Sequence, residues 1–306
     1  MVGVLIGFAI IVAVIAVGYV IGRFDLLGPS AEHVLSRLAF FVLSPALLFT
    51  VLAEADVQHL FSALLPISAI AALVDIAAFL LISLLVWRRP LPDATIGALA
   101  SGYVNANNIG LPVSVYVLGD ASSSAPVILF QLIVLAPVAL TVLDVSTSGK
   151  LSIGRILLQP VRNPLIIGSL LGLIVAVTHL QIPAPVLAPF QLVGGAAVPV
   201  ILLTFGMSLH GSRVLAPGTD RKDVLLASTL KLAAMPVVAW LLGNFVWHLH
   251  GHRLFVVVVL AALPTAQNVF NYAQRYGVAT VLARDAVLIT TALSIVVLVI
   301  VAALLA

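Results

Sequence analysis

The sequence predicts an all-α integral membrane protein that crosses the bilayer with ten transmembrane helices. Three observations carry this prediction: the composition, the spacing of the apolar runs, and the placement of the basic residues. Of 306 residues, 62% are hydrophobic and 8% are charged, against roughly 25% charged in soluble domains. So few charges cannot cover a water-facing surface. At about 20 apolar residues per span plus a loop, the length suffices for about nine to eleven helices and leaves nothing for a soluble domain. Basic runs interleaved with aromatics are absent, which argues against nucleic acid as a partner. There are no cysteines, so disulfides, thiolate metal sites and thiol catalysis are excluded. The Met-Val-Gly-Val start has no basic residue before the first apolar run. A signal peptide would carry one, so the first run is expected to remain as a helix.

Apolar runs punctuated by Gly, Pro and charge place helices near 3–22, 32–53, 61–87, 94–118, 122–146, 163–180, 186–209, 224–248, 253–277 and 280–305. Alternate loops then hold Arg23 and Arg37, Arg88 and Arg89, Lys150, Arg155 and Arg162, Arg213, Arg221 and Lys222, and Arg275 and Arg284. Lys231 lies just inside the helix after the fourth of these loops. Of the fourteen basic residues, Arg253 alone falls on the opposite side. The positive-inside rule makes the basic side cytoplasmic and puts both termini outside, as in a multi-pass protein of the plasma (inner) membrane. Trp87 and Trp247 fall near span ends, where interfacial tryptophans belong.

The longest basic loop divides the chain into a first five-helix repeat, 1–146, a connecting loop, 147–162, and a second five-helix repeat, 163–306. Five helices per half means that the halves insert with opposite orientation, the inverted-repeat arrangement of many secondary transporters. The second helix of each half carries a central proline, Pro45 and Pro199, and so does the fourth, Pro112 and Pro264. The third helices hold the two intramembrane charges, Asp75 and Lys231.

The fourth span reads Ser-Gly-Tyr-Val-Asn-Ala-Asn-Asn-Ile-Gly-Leu-Pro over 101–112, with Asn105, Asn107, Asn108, Gly110 and Pro112 near mid-membrane. Proline removes a backbone donor, and amide side chains in hydrocarbon must find partners. A helix broken there and facing a polar cavity satisfies both. A proline kink with amides bonded to neighbouring helices is the blander solution for one such segment. The ninth span supplies a counterpart in Pro264, Thr265, Gln267, Asn268 and Asn271. Two interrupted spans at corresponding positions point to a transporter's binding site. Each break makes a half-helix N-terminus that favours an anion.

The motif Asn105-x4-Gly110-x-Pro112 resembles the crossing fourth helix of the auxin efflux carrier family. Leu263-Pro264 followed by Ala273-x2-Tyr276 is similar to that family's ninth helix. Arg162-Asn163-Pro164 and Lys231-x4-Pro236 are also similar. The resemblance runs along the whole chain, which lacks the long central loop of the plant members and looks like the compact bacterial branch. It implies a five-plus-five fold in which helices 1, 2, 6 and 7 form a scaffold, a possible seat for a homodimer. Helices 3–5 and 8–10 would form a transport domain that moves elevator-fashion, with helices 4 and 9 crossing at their breaks. It further implies a small organic anion as substrate, typically a mono- or dicarboxylate such as malonate or malate. By position, Asn105 and Asn163 match asparagines linked to substrate handling, and Pro112 and Pro264 match the crossover prolines. Asn107, Asn108, Gln267 and Asn268 fall where plant carriers have apolar residues, so this crossing is more polar than theirs.

The expected substrate-binding set is therefore Asn105, Asn107, Asn108, Asn163, Gln267 and Asn268, with Gly110, Pro112 and Pro264 at the crossing. An acid at mid-span costs about 2.5–3.5 kcal/mol on insertion scales and usually faces an interior or a proton path. Asp75 and Lys231 are thus candidates for ion or proton coupling, or for a structural pair. No cofactor or metal is expected beyond H+ or Na+ as coupling ion; His248, His250 and His252 read as solvated loop residues rather than ligands. Proton coupling or uniport would rest on Asp75. Sodium coupling, as in the structurally similar bile acid symporters, would use the amides and carbonyls of the crossing. An intramembrane enzyme lacks support, because His-Glu-x-x-His, Gly-x-Ser-x-Gly and a partner acid for Asp75 or Asp144 are all missing. A channel would repeat a filter around an axis rather than invert two breaks.

Overall fold

A computed structural model of the chain describes residues 2–56, 63–148, 162–208 and 221–306. Most of the connecting loop, with Lys150 and Arg155, and Arg213 in a later basic loop lie outside the described residues.

The described chain is helical: α1 (Val2–Arg23), α2 (Ala31–Ala53), α3 (Leu65–Val86), α4 (Leu91–Gly102), α5 (106–118), α6 (Ala121–Thr147), α7 (Pro164–Thr178), α8 (Ala184–Ser208), α9 (Arg221–Val246), α10 (His252–Ala261), α11 (Gln267–Tyr276) and α12 (Thr280–Leu305). Seven of these, α1, α2, α3, α6, α8, α9 and α12, are long and apolar enough to cross a membrane. The predicted sixth span is the shorter apolar helix α7. The predicted fourth and ninth spans are each two helices, α4 with α5 and α10 with α11, joined through extended backbone.

Several helices contain wide turns with i→i+5 hydrogen bonds, at 39–43, 82–86, 106–110, 114–118, 131–135, 230–234 and 242–246. Such turns commonly mark functional positions and bends in membrane helices. In α2 and α9 the turn directly precedes a proline: Pro45 follows 39–43, and Pro236 follows 230–234. Proline lacks a donor and crowds the carbonyl four residues back, and a wide turn absorbs both.

The helices sort into two compact units. The first comprises Met1–Ser62, Asn107–Leu129 and Leu158–Ser212, and so holds α1, α2, α5, α7, α8 and the start of α6. Within it α1 lies along α8 and α7 lies along α2. The α7–α2 seam is set by Gly168 and Gly172: a Cβ there would stand 2.5 Å from the Pro45 carbonyl oxygen and 2.6 Å from that of Phe49. The Gly-x3-Gly spacing thus serves packing inside the subunit. The second unit comprises Ala63–Ala106, Phe130–Leu157 and Arg213–Ala306, with α3, α4, most of α6, and α9–α12. Phe79 of α3 is fully buried, and a side chain at Gly97 of α4 would collide with its ring. The boundary between units falls inside the predicted fourth span, so its second half groups with the first unit.

Within the second unit, the chain entering α4 and the chain entering α10 have the same local structure. Trp87 N donates to Ile82 O (3.1 Å) and Arg89 N to Ser83 O (2.9 Å); Trp247 N donates to Leu242 O (3.0 Å) and Leu249 N to Gly243 O (2.7 Å). Arg88 and His248, between these donors, both take positive φ, 52° and 49°. The burial pattern of 81–90 recurs residue for residue over 241–250.

Candidate substrate-binding site

The extended link after α4 and the one after α10 pair with each other as a single antiparallel bridge, Val104 with Thr265. Asn105 N donates to Pro264 O at 2.8 Å, and Ala266 N donates to Tyr103 O at 3.0 Å. This exchange meets backbone groups that two broken helices would otherwise leave bare in an apolar interior. Tyr103, Val104, Leu263, Thr265 and Ala266 are all buried, as are Asn105 and its neighbour Ala106.

Two further bonds hold the carbonyl ends of the half-helices. Thr265 Oγ1 donates to Ala100 O (2.6 Å), near the end of α4, and Thr265 N donates to Thr290 Oγ1 (3.0 Å) on α12. Lys231 Nζ donates to Ala261 O (2.8 Å), the last residue of α10, and contacts Met235 Sδ at 2.7 Å. Lys231 is wholly buried. A cation at a helix C-terminus is favourable, and more so where water is excluded. Asp75 is buried on α3, close enough for its charge to interact with that of Lys231. Its backbone carbonyl accepts from Ser101 Oγ (3.2 Å), which fastens α3 to the end of α4. Its two carboxylate oxygens have no hydrogen-bond donor among the described residues.

At α11 the chain re-enters the helix at Gln267, with Ala266 as an N-cap that has no capping side chain. Asn268 follows in the first turn, and Tyr272 lies one turn beyond it. Tyr276, at the helix end, donates to Asp144 Oδ1 of α6 at 2.7 Å. Asp144 thus anchors α11.

The second unit therefore brings together Asn105, Pro264, Gln267 and Asn268 around the crossing, with Asp75 and Lys231 behind it. The first unit holds Asn107, Asn108, Gly110, Pro112 and Asn163. Asn107 Nδ2 donates to Asn108 Oδ1 (2.8 Å), and the buried Asn107 Oδ1 has no partner among the described residues. Gly110 and Pro112 lie inside α5, beyond the extended link rather than in it. Asn163 is the N-cap of α7; its Oδ1 accepts from Leu165 N (3.0 Å), with Pro164 in the first turn. Asparagine at the cap followed by proline is a sequence signature of a helix start.

Sequence reasoning did not single out Tyr103 or Thr290, and it noted Thr265 only as one polar residue among several. A lone tyrosine or threonine in an apolar run carries no periodic signal; their role appears once the two links are paired. Among the described residues, no group of three or more His, Cys, Asp or Glu is placed to hold a metal ion.

Residues 4–302 match the family described as membrane transport protein. The chain is 25% identical over 269 residues to a protein of Rhizobium meliloti (strain 1021) named "Putative malonate transporter", covering 85% of this chain and 83% of that one. Family, relative and apolar helices together make this a multi-pass membrane protein that transports, not an enzyme. The chain belongs to the membrane transport protein family, that of the auxin efflux carriers.

Proposed function

We propose that this protein is a secondary transporter that carries a small mono- or dicarboxylate across the plasma membrane by alternating access, and binds it at the crossing of the two broken spans. The observation that carries this reading is the antiparallel pairing of Tyr103–Asn105 with Pro264–Ala266, beside the N-terminus of α11, whose N-cap Ala266 has no capping side chain. A site built from neutral amides and helix-end N–H groups binds an anion without a buried counter-charge, strongly enough to select it and weakly enough to release it. Malonate is the first substrate to try, because the relative's name points to it.

The reading includes ten crossings in two inverted repeats, with both termini outside the cytoplasm. The matching local structures at 81–90 and 241–250 support the repeat, and the basic-residue asymmetry supports the orientation. It also includes an elevator-like movement of the part that carries the crossing, and a homodimer through the scaffold helices.

For coupling, proton-linked transport or uniport is favoured over sodium. A sodium ion at the crossing would need half-helix carbonyls, and Lys231 already engages Ala261 O. Sodium retains one supporting observation, the bare carboxylate of Asp75, since hard cations take oxygen ligands. Counterflow in proteoliposomes tests the reading: labelled malonate, and a panel of mono- and dicarboxylates, with and without sodium and with and without a pH gradient. The expected result is saturable carboxylate exchange that does not need sodium. Absence of exchange for every carboxylate would overturn the substrate class, and strict sodium dependence would overturn the coupling.

A further inference from the structure

Tyr103 occupies an unusual position at the crossing. Its carbonyl accepts from Ala266 N, so its backbone fixes the residue that opens α11. Its side chain is 2% exposed, yet its hydroxyl has no hydrogen-bond partner among the described residues. The side chains of Asn268 and Tyr272 stand beside that hydroxyl. The Tyr103 and Tyr272 rings meet edge to face, with centroids 6.5 Å apart and planes at 82°. Asn268 and Tyr272 are four residues apart and share one face of α11. This hydroxyl, the Asn268 amide and the start of α11, whose N-cap Ala266 has no capping side chain, thus lie together within the second unit.

A buried hydroxyl without a protein partner can be satisfied by water or by a ligand. The phenol O–H, the Asn268 amide and the first N–H groups of α11 can all donate here. Such a set is complementary to an anionic oxygen pair. We propose that Tyr103 is a specificity-determining residue of this transporter, its hydroxyl donating to one carboxylate group of the substrate at the N-terminus of α11, with the Tyr272 ring as the wall that limits substrate size there. The proposal rests on the reading that the crossing is the substrate site.

The test uses purified full-length protein and malonate, with acetate, succinate and glutarate as the comparison panel. Affinity is measured by titration in detergent for wild type, Tyr103→Phe, Tyr272→Ala and Asn268→Ala. Tyr103→Phe is expected to lose about ten- to a hundred-fold in malonate affinity, the effect of removing a hydrogen bond to a charged group. Its ligand-free melting temperature should stay at or above wild type, since an unpartnered buried hydroxyl is removed. A merely structural role would lower melting and leave affinity intact. Tyr272→Ala should gain affinity for glutarate relative to malonate.

Wild-type affinity in Tyr103→Phe alongside a loss in Asn268→Ala would overturn the role of Tyr103 and leave the crossing as the site. Wild-type affinity in both would remove the crossing itself. If no carboxylate of the panel binds the wild-type protein, both readings fall.

Discussion

The chain that leads into α4 and the chain that leads into α10 turn in the same way and are stabilised differently. Each ends a long helix in a wide turn, passes a tryptophan, takes the next residue to positive φ and leads to a half-helix. Before α4 the loop residues are Arg88 and Arg89, and Arg89 pairs with the buried Asp223 at 2.7 Å. Before α10 the corresponding residues are His248 and Leu249. The contrast deepens at the far ends of the half-helices. Ala100 O is held by the neutral hydroxyl of Thr265, and Ala261 O by the ammonium of Lys231. A repeated backbone therefore carries charge at one carbonyl end only. The difference teaches that the crossing needs its carbonyls held but does not need them held by the same chemistry, which leaves one half free to take on a charged group and its acidic neighbour, Asp75.

The comparison breaks most completely if the two loops share a side of the membrane. The chain has no cysteine, so Pro90→Cys and His250→Cys, both at exposed positions, report separately. A membrane-impermeant maleimide applied to intact cells should label the His250→Cys variant and leave Pro90→Cys unlabelled until the membrane is opened. Equal labelling of both from outside would end the inverted-repeat account.

The next largest effect concerns the charged end. Lys231→Met removes the donor to Ala261 O and leaves Asp75 as a buried charge without a counterpart. Breaking a buried pair in this way costs about 3–5 kcal/mol. Thermal unfolding in detergent should show that loss, and the double variant with Asp75→Asn should recover most of it. No recovery in the double variant would mean that the two charges do not act as a pair.

The neutral end should respond less. Thr265→Val keeps the shape and removes the hydroxyl bonded to Ala100 O, at a cost of about 1–2 kcal/mol, the usual range for a lost buried hydrogen bond. If Thr265→Val destabilises as much as Lys231→Met, the two halves are held alike and the contrast is wrong.

Much of the architecture was legible in the sequence, because a bilayer demands long apolar runs and the basic residues mark their ends. The predicted 280–305 span matches α12, and the predicted 3–22 span misses α1 by one residue at each end. The breaks were legible as regions and not as residues. Pro112 announced an interruption in the fourth span, yet it sits inside α5, where a wide turn accommodates it, while the extended link runs through Tyr103, Val104 and Asn105. In the ninth span Pro264 does lie in the link, where its carbonyl accepts from Asn105. Proline signals a missing donor; where the chain leaves the helix depends on which partner waits across the crossing, and that is tertiary information. Lys231 was conspicuous as a mid-span charge, but its bond to Ala261 O, thirty residues away in sequence, had no local trace. Asn163, matched by family position to a substrate asparagine, also caps α7 through Leu165 N, a bond local enough for the Asn-Pro pair to signal it.

The central claim is that the crossing in the second unit binds the substrate, and ligand affinity in two single variants tests it most directly. Asn105 and Asn268 stand on the two broken spans, one buried in the link after α4 and the other in the first turn of α11. Malonate titration of Asn105→Ala and Asn268→Ala, with melting temperatures recorded without ligand, separates binding from folding. A site that uses both spans predicts a loss of about 1.5–3 kcal/mol in each, or about ten- to a hundred-fold in affinity. Wild-type affinity in both variants, with folding intact, would contradict the account and place the substrate elsewhere in the protein.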